Sequence, residues 1–296
     1  MSELDERFDR NIGLFGKEGQ QRLRAASVAV VGVGGVGTFV VLELALLGVG
    51  TLYLIDHEEI SRTNRNRYVG TRYDDPIPGS PKVELGARLV QSIDPSIKVV
   101  KVEENFFSEK AFDAIRNADY VFGCFDDDGP RLALTELCAA YKKPLIDLAS
   151  DVPEPGVYGG RVCVAWDGSG CPYCLGEIDQ RAANEYLESD AVRANIDAIY
   201  GVKRAALGET GPSVVSINGV IASLGVTEFM AAVTGMRPPT RLITYKGHES
   251  IVTRRKDAPP PDCYYCHGVR GMGRDADVER FLRMPHLTRG RGTESA

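Results

Sequence analysis

Four groups of residues in this chain have the types and spacing of working chemistry. The first is the stretch "VVGVGGVG" at residues 30–37, with Gly32, Gly34, Gly35 and Gly37 between an apolar β-branched run and an apolar helical run. Glycines placed there let the backbone turn sharply and let phosphate oxygens approach N–H groups, and the helix N-terminus adds partial positive charge. The second is Asp56, at the end of the next apolar run, "GTLYLID". A carboxylate there accepts hydrogen bonds from ribose hydroxyls. Glycines and Asp56 alone suit NAD and ATP equally.

The third group separates the two nucleotides. "DHEEISRTNRNRYVG" places Asn64 and Arg67 just past Asp56, and Lys82 opens the following helix. A hydride-transfer site needs an apolar slot for nicotinamide. Guanidinium, ammonium and amide groups suit a triphosphate instead. "CFDDDGPR" then follows a buried strand, so Asp126 is expected at the ligand crevice, as a Mg²⁺ ligand beside the phosphates. Singly, Asn64 and Arg67 also read as solvated loop residues, Lys82 as a surface residue and Asp126 as a helix cap. Their joint placement favours ATP. No His or Tyr stands out as a hydride-transfer acid or base.

The fourth group is a pair of C-x-x-C knuckles, "CPYC" (Cys171, Cys174) and "CYYC" (Cys263, Cys266). Neither order nor spacing fits a contiguous zinc finger. Two knuckles joined by the fold can make a closed Cys₄ site, which is structural rather than catalytic because no coordination position stays open. A redox dithiol is the other reading. His267 flanks the second knuckle, and Cys124, Cys138 and Cys163 read as packing thiols.

The elements that must position these groups alternate. "SVAVVGV", "GTLYLID", "KVVKVEE", "DYVFGCF" and "PLIDLAS" read as buried strands, separated by helical stretches that include 35–48, "PKVELGARLVQSID", "EKAFDAIRNA" and "GPRLALTELCAAYKK". That order predicts an α/β, Rossmann-like, doubly wound and mainly parallel sheet. After Ser150 the pattern changes to an antiparallel strand "GVYGGRVCVAW", a charged helical stretch over 178–207, an apolar helix over 213–234 and two short strands, "RLITYK" and "ESIVTRR". The polar stretch 57–79 is long for a connection, as functional loops often are.

Bulk properties bound the function. The 296 residues, 43% hydrophobic and 26% charged, suffice for one large α/β domain with an ordinary globular surface. The net charge of −6 argues against a nucleic-acid-binding body. "MSELDERFDR" has no apolar core of a secretory signal, and the apolar stretch 212–235 is interrupted by Asn218, Thr227 and Glu228, so it reads as a buried helix. The expectation is a cytoplasmic protein with no membrane span, folded as a single domain over 1–284 with a disordered tail over 285–296.

In this order the motifs resemble the ThiF/MoeB/HesA family, bacterial relatives of the ubiquitin-activating enzymes. "RFDRNIGLFGKEGQQRL" is similar to the family's opening R-Y-x-R-Q-I, and "VAVVGVGGVGT" to its G-x-G-G-x-G loop. "LIDHEEISRTNRNR" resembles D-x-D-x-V-x-x-S-N-x-x-R, with Glu58 for the second Asp and Thr63 for Ser. "GSPKVE" resembles the lysine segment and "CFDDDGPR" the C-T-D-N-x-x-x-R segment. The resemblance implies ATP-dependent adenylation of the C-terminal carboxylate of a β-grasp carrier ending in Gly-Gly, with release of pyrophosphate. It implies Asp56 on the ribose; Asn64, Arg67 and Lys82 on the phosphates; Asp126 on Mg²⁺; and Zn²⁺ on the four cysteines. Gly34, Gly35, Gly37 and Glu58 would complete the nucleotide site. Arg10 would reach the partner subunit's ATP across a homodimer interface, and the stretch 178–207 corresponds to the family's mobile crossover segment, which reads equally as a solvated surface helix pair. Some members carry a cysteine shortly before the long apolar helix. Here "AALGETGPSVVSINGV" has none, which implies adenylation without an enzyme thioester and a separate sulfurtransferase or conjugating protein downstream. A peptide C-terminus or a modified tRNA base, as in the cyclising dehydratases, is the alternative substrate. A non-catalytic binding protein is disfavoured by the intact Arg67, Lys82 and Asp126.

Overall fold

The computed structural model describes residues 6–188, 212–255 and 260–288. Eight strands form one continuous sheet in the order β3-β2-β1-β4-β5-β6-β7-β8. The strands are β1 (Ser27–Val31), β2 (Thr51–Ile55), β3 (Lys98–Val102), β4 (Tyr120–Gly123), β5 (Leu145–Glu154), β6 (Val157–Ala165), β7 (Leu242–Lys246) and β8 (Ile251–Arg254). Strands β1 to β5 pair in parallel. From β5 onward every pairing is antiparallel. The expected mainly parallel sheet with antiparallel C-terminal strands is therefore observed.

The helices are α1 (Asp9–Ala25), α2 (Gly35–Leu47), α3 (Lys82–Ile93), α4 (Glu109–Asn117), α5 (Asp128–Ala140), α6 (Gln180–Leu187), α7 (Val215–Thr234) and a short α8 (Pro285–Thr288). They cover both faces of the sheet because residues alternate faces along each strand. Val28 and Val30 join Leu52, Leu54 and residues of α2, α3 and α7 in one core. Ala29 and Val31 join Ile55, Val121 and residues of α4 and α5 in the other, closed at the bottom by Val269, Ala276 and Phe281. Strands buried on both faces read as unbroken apolar runs, which is what the sequence displays.

Helix α7 is the one described helix long and apolar enough to cross a membrane. It packs instead against α2, β5 and β6. Its buried Glu228 is paired by both guanidinium nitrogens of Arg237 at 2.6 Å and by the Thr240 N–H at 2.7 Å. A buried carboxylate so completely satisfied belongs to a protein core.

Three local differences from the sequence reading have physical causes. Strand β5 does not stop at Ser150 but continues to Glu154 and turns back as a hairpin with β6, because Ala149↔Arg161 and Ser150↔Gly160 extend the ladder beyond the parallel region. Pro81 is the N-cap of α3 rather than a residue of its first turn. Residues 285–288, expected in a disordered tail, form α8, which buries Leu287, whose carbonyl accepts from the Asn105 side chain at 3.2 Å. Residues 289–296 of that tail, and 189–207 of the charged helical stretch, lie outside the described residues.

Candidate active site

The chain leaves β1 for β2 on one side and reaches β4 on the other, so the strand order reverses at β1. Ligands of doubly wound sheets bind at such a reversal, beyond the C-terminal ends of the strands. A cleft of about 1030 Å³ opens there. Gly32, with φ +88°, carries the chain off β1, and a Cβ on it would sit 2.6 Å from the Cys124 carbonyl oxygen at the end of β4. The two crossovers thus meet backbone to backbone. Gly34 is the N-cap of α2, and a Cβ added to it would meet nothing within 4 Å, so its Cα faces open space.

Asp56 extends from β2 beneath this loop. One carboxylate oxygen accepts the Val33 N–H at 2.8 Å and the other the Glu58 N–H at 2.8 Å. Burial pushes its carboxyl above the usual range, against the pull of Lys82. Lys82 is buried at the start of α3 and pairs with Glu58. Burial by itself would lower this ammonium, but Asp56, Glu58 and Asp126 together raise it above its ordinary value. Burial would likewise raise Glu58, and Lys82 holds it below the ordinary carboxylate value instead. The loop and α3 are stitched by main-chain bonds, Lys82 N–H to Glu58 O at 2.9 Å and Ile60 N–H to Ser80 O at 2.9 Å. A carboxylate therefore neutralises the lysine that the sequence assigns to phosphate.

Asn64 closes a short helical turn, Arg62–Asn64, as half of a capping box: its Oδ1 accepts the Ser61 N–H at 2.9 Å. Its amide NH₂ is the end left to face a phosphate. Arg67 lays its aliphatic arm beside Gly35 and donates to the Thr63 carbonyl at 2.5 Å. Asp126 is exposed at the cleft wall after β4. Gly34, Gly35, Asp56, Glu58, Asn64, Arg67, Lys82 and Asp126 all line this one cleft.

Gly37 and Arg10 do not join them. A Cβ on Gly37 would lie 2.0 Å from the Gly32 carbonyl oxygen, so a glycine here permits the close approach of α2 to its own loop. Arg10 is exposed on α1. The neighbouring Phe8 ring packs on Gly48, the C-cap of α2, a helix length from the glycine loop.

The sequence reading missed the floor of the cleft. Arg131, buried in α5, donates to Asp147 and to the Phe125 and Leu148 carbonyls. Arg161 on β6 donates to the other Asp147 oxygen at 2.5 Å and pairs with Glu177 at 3.0 Å. Arg131 stands in the quoted "CFDDDGPR", and a charged residue inside the apolar "PLIDLAS" was the available signal for Asp147.

The four expected cysteines converge. Their sulfurs lie within 4.8 Å of one another, with 3.7 Å for Cys171–Cys174 and 3.8 Å for both Cys171–Cys263 and Cys174–Cys266. Tetrahedral thiolates about 2.3 Å from zinc lie about 3.8 Å apart, so these residues fit Zn²⁺. His267 is not among them; its N–H bonds the Cys263 carbonyl at 3.0 Å. Cys124, Cys138 and Cys163 are buried, and burial pushes all three thiols up, as packing residues require.

Comparison with known proteins gives consistent relatives. A family model described as the ThiF family matches residues 8–265. "Protein HesA, vegetative" of Trichormus variabilis is 28% identical over 88% of this chain and 89% of its own. The "Sulfur carrier protein ThiS adenylyltransferase" of Escherichia coli is 32% identical over 57% of this chain and 66% of its own. "Adenylyltransferase and sulfurtransferase MOCS3-1" of Zea mays is 27% identical over 93% of this chain but 54% of its own, so this chain spans about half of it. Among solved structures, Escherichia coli MccB with MccA-N7isoASN superposes with a TM-score of 0.69 at 21% identity, over 88% of this chain and 74% of that one.

Proposed function

The chain belongs to the ThiF family, and we propose on that footing that it adenylates the C-terminal carboxylate of a small ubiquitin-like or sulfur-carrier protein ending in Gly-Gly. In reaction class it is an ATP-dependent adenylyltransferase. The observation that carries the finer reading is the gathering of Asp56, Arg67, Lys82 and Asp126 around one cleft at the reversal point of the sheet. That set of charged groups suits a ribose and a triphosphate.

The chemistry needs no protein nucleophile. The substrate carboxylate attacks the α-phosphorus, the α–β phosphoanhydride bond breaks and pyrophosphate leaves. The protein's task is alignment and charge neutralisation. Asp56, with each oxygen holding one backbone N–H, keeps lone pairs for the ribose hydroxyls. Lys82 exchanges Glu58 for phosphate oxygens, and Arg67 exchanges carbonyl partners for the same purpose. Asp126 would hold Mg²⁺, which supplies charge neutralisation on the phosphates. Arg10, remote from its own cleft, would complete the site of a partner subunit in a homodimer. With no cysteine in "AALGETGPSVV", the acyl-adenylate passes to a separate sulfurtransferase or conjugating protein rather than to an enzyme thiol. A cytoplasmic location accords with that chemistry.

A peptide C-terminus is the second reading, favoured by the likeness to MccB, which has been solved in complex with N-formylated MccA.

ATP–pyrophosphate exchange tests both. Gly-Gly-ending β-grasp proteins from the same genome are added one at a time, with short peptides in parallel, and Asp126→Ala as control. Carrier-dependent exchange, reduced at least 100-fold in the variant, is expected. Exchange with peptides alone would transfer the assignment to the second reading. Tight binding of NAD with none of ATP would overturn both. Light scattering of the same preparation is expected to report a dimer, and a fully active monomer would remove the role of Arg10.

A further inference from the structure

The loop after the first cysteine knuckle does more than close a metal site. Three residues beyond Cys174, Glu177 turns back into the cleft and receives Arg161 twice: Nε to its carboxylate at 3.0 Å and Nη2 to its carbonyl at 2.6 Å. Arg161 in turn holds one oxygen of Asp147, and Arg131 holds the other. Asp147 is fully buried, and the Arg131 side chain is 3% exposed. Arg131 then donates to the carbonyl of Phe125, the residue before Asp126, and pairs with Asp128 at 3.3 Å. Asp128 also accepts the Asp179 N–H at 2.9 Å, so the same loop grips the start of α5 a second time.

The charges balance along this chain. Two guanidiniums, Arg131 and Arg161, face two carboxylates, Asp147 and Glu177, with Asp128 at one end and Arg255, which donates to the Leu175 carbonyl at 2.7 Å, at the other. Asp147 is shared by both guanidiniums, and Glu177 is the second carboxylate on Arg161 as Asp128 is on Arg131. Without the Glu177 charge, Arg161 and Arg131 compete for Asp147, and Arg131 is the one whose other contacts define the 125–128 turn. A buried network missing one member costs far more than a surface ion pair.

We propose that Glu177 is a positioning residue for the adenylation reaction, acting through Arg161, Asp147 and Arg131 on the turn that carries Asp126. This rests on the reading of the cleft as an ATP site with Asp126 on Mg²⁺. Glu177 lines the same cleft, and its assigned part is to hold Arg161. It links the cysteine-anchored loop to the reacting phosphates through four side chains.

The test uses the full chain and calorimetric ATP binding with and without Mg²⁺. Zinc content and melting temperature are measured on each protein. In Glu177→Gln, affinity for metal-free ATP is expected within threefold of wild type, while the gain from Mg²⁺ falls at least tenfold. Zinc content should stay at the wild-type level. Glu177→Asp, which keeps the charge, should recover most of that gain, and Asp147→Asn should lose it as Glu177→Gln does. An unchanged Mg²⁺ gain in Glu177→Gln would overturn the proposal. So would a loss of metal-free affinity, zinc and melting temperature together, which is the mark of a purely structural residue. Wild-type protein that fails to bind ATP overturns the reading of the cleft itself, and that result is separable because it needs no variant.

Discussion

At the residue scale, the glycines of the loop divide by what a Cβ would meet. Gly34 faces open space at φ −92°, a conformation any residue adopts, whereas Gly37 sits against the Gly32 carbonyl. The sequence treats the two alike, because both belong to one spacing pattern. Gly34→Ala is expected to leave denaturant stability unchanged and to lower ATP affinity at least tenfold. Gly37→Ala should lose about 1–3 kcal/mol of stability through overpacking against backbone. Equilibrium unfolding alongside ATP titration checks the pair, and equal destabilisation by both would remove the distinction. Lys82 shows the same limit of sequence reading. Its place at the start of α3 was legible, but its pairing with Glu58 was not, because that contact needs the loop folded back onto α3.

At the scale of elements, the long 57–79 loop keeps its shape with little regular structure. Asp75 is its anchor: it accepts both guanidinium nitrogens of Arg88 from α3 at 2.6 Å and the Arg72 N–H at 2.6 Å. These bonds, led by Arg88, depress the Asp75 carboxyl to about 2. A depressed folded value means stability that is present above the unfolded value near 3.9 and lost as pH falls toward about 2. Asp75→Asn should therefore cost about 1–3 kcal/mol at neutral pH and flatten the loss of stability between about pH 4 and pH 2. Urea melts across that range provide the measurement, and parallel acid limbs in the two proteins would refute the assignment. Sequence composition marked this loop as functional, yet Asp75 and Arg88 carried no pattern that would join them.

At the scale of the whole molecule, the two knuckles lie on either side of α6, α7, β7 and β8 in sequence and meet only in the fold. Cys171 and Cys174 follow β6, and Cys263 and Cys266 lie at the start of the 263–288 segment that closes the second core. Zn²⁺ held by the four thiolates would pin that segment to the sheet, which binding thermodynamics converts into folding stability. One zinc per chain is expected by elemental analysis. Cys266→Ser should lose the metal and lower the melting temperature by several degrees or more. Retained zinc in that variant would show that the cluster is not a four-ligand site.

The sequence alone determined the strand–helix alternation, the glycine loop, Asp56, the polar series from Asn64 to Asp126 and the candidate metal ligands. Each of these is written in local periodicity or in fixed spacing, which depend on the chain's own geometry over a few residues. Only the tertiary structure decided that β5 continues into an antiparallel hairpin, that Gly37 sits against the Gly32 carbonyl, that Arg10 stands away from its own cleft, and that Arg131, Arg161 and Glu177 form one network around the buried Asp147. Those facts arise where distant segments meet: burial removes the charges from water, and each group must then find a partner that its position in the sequence does not name.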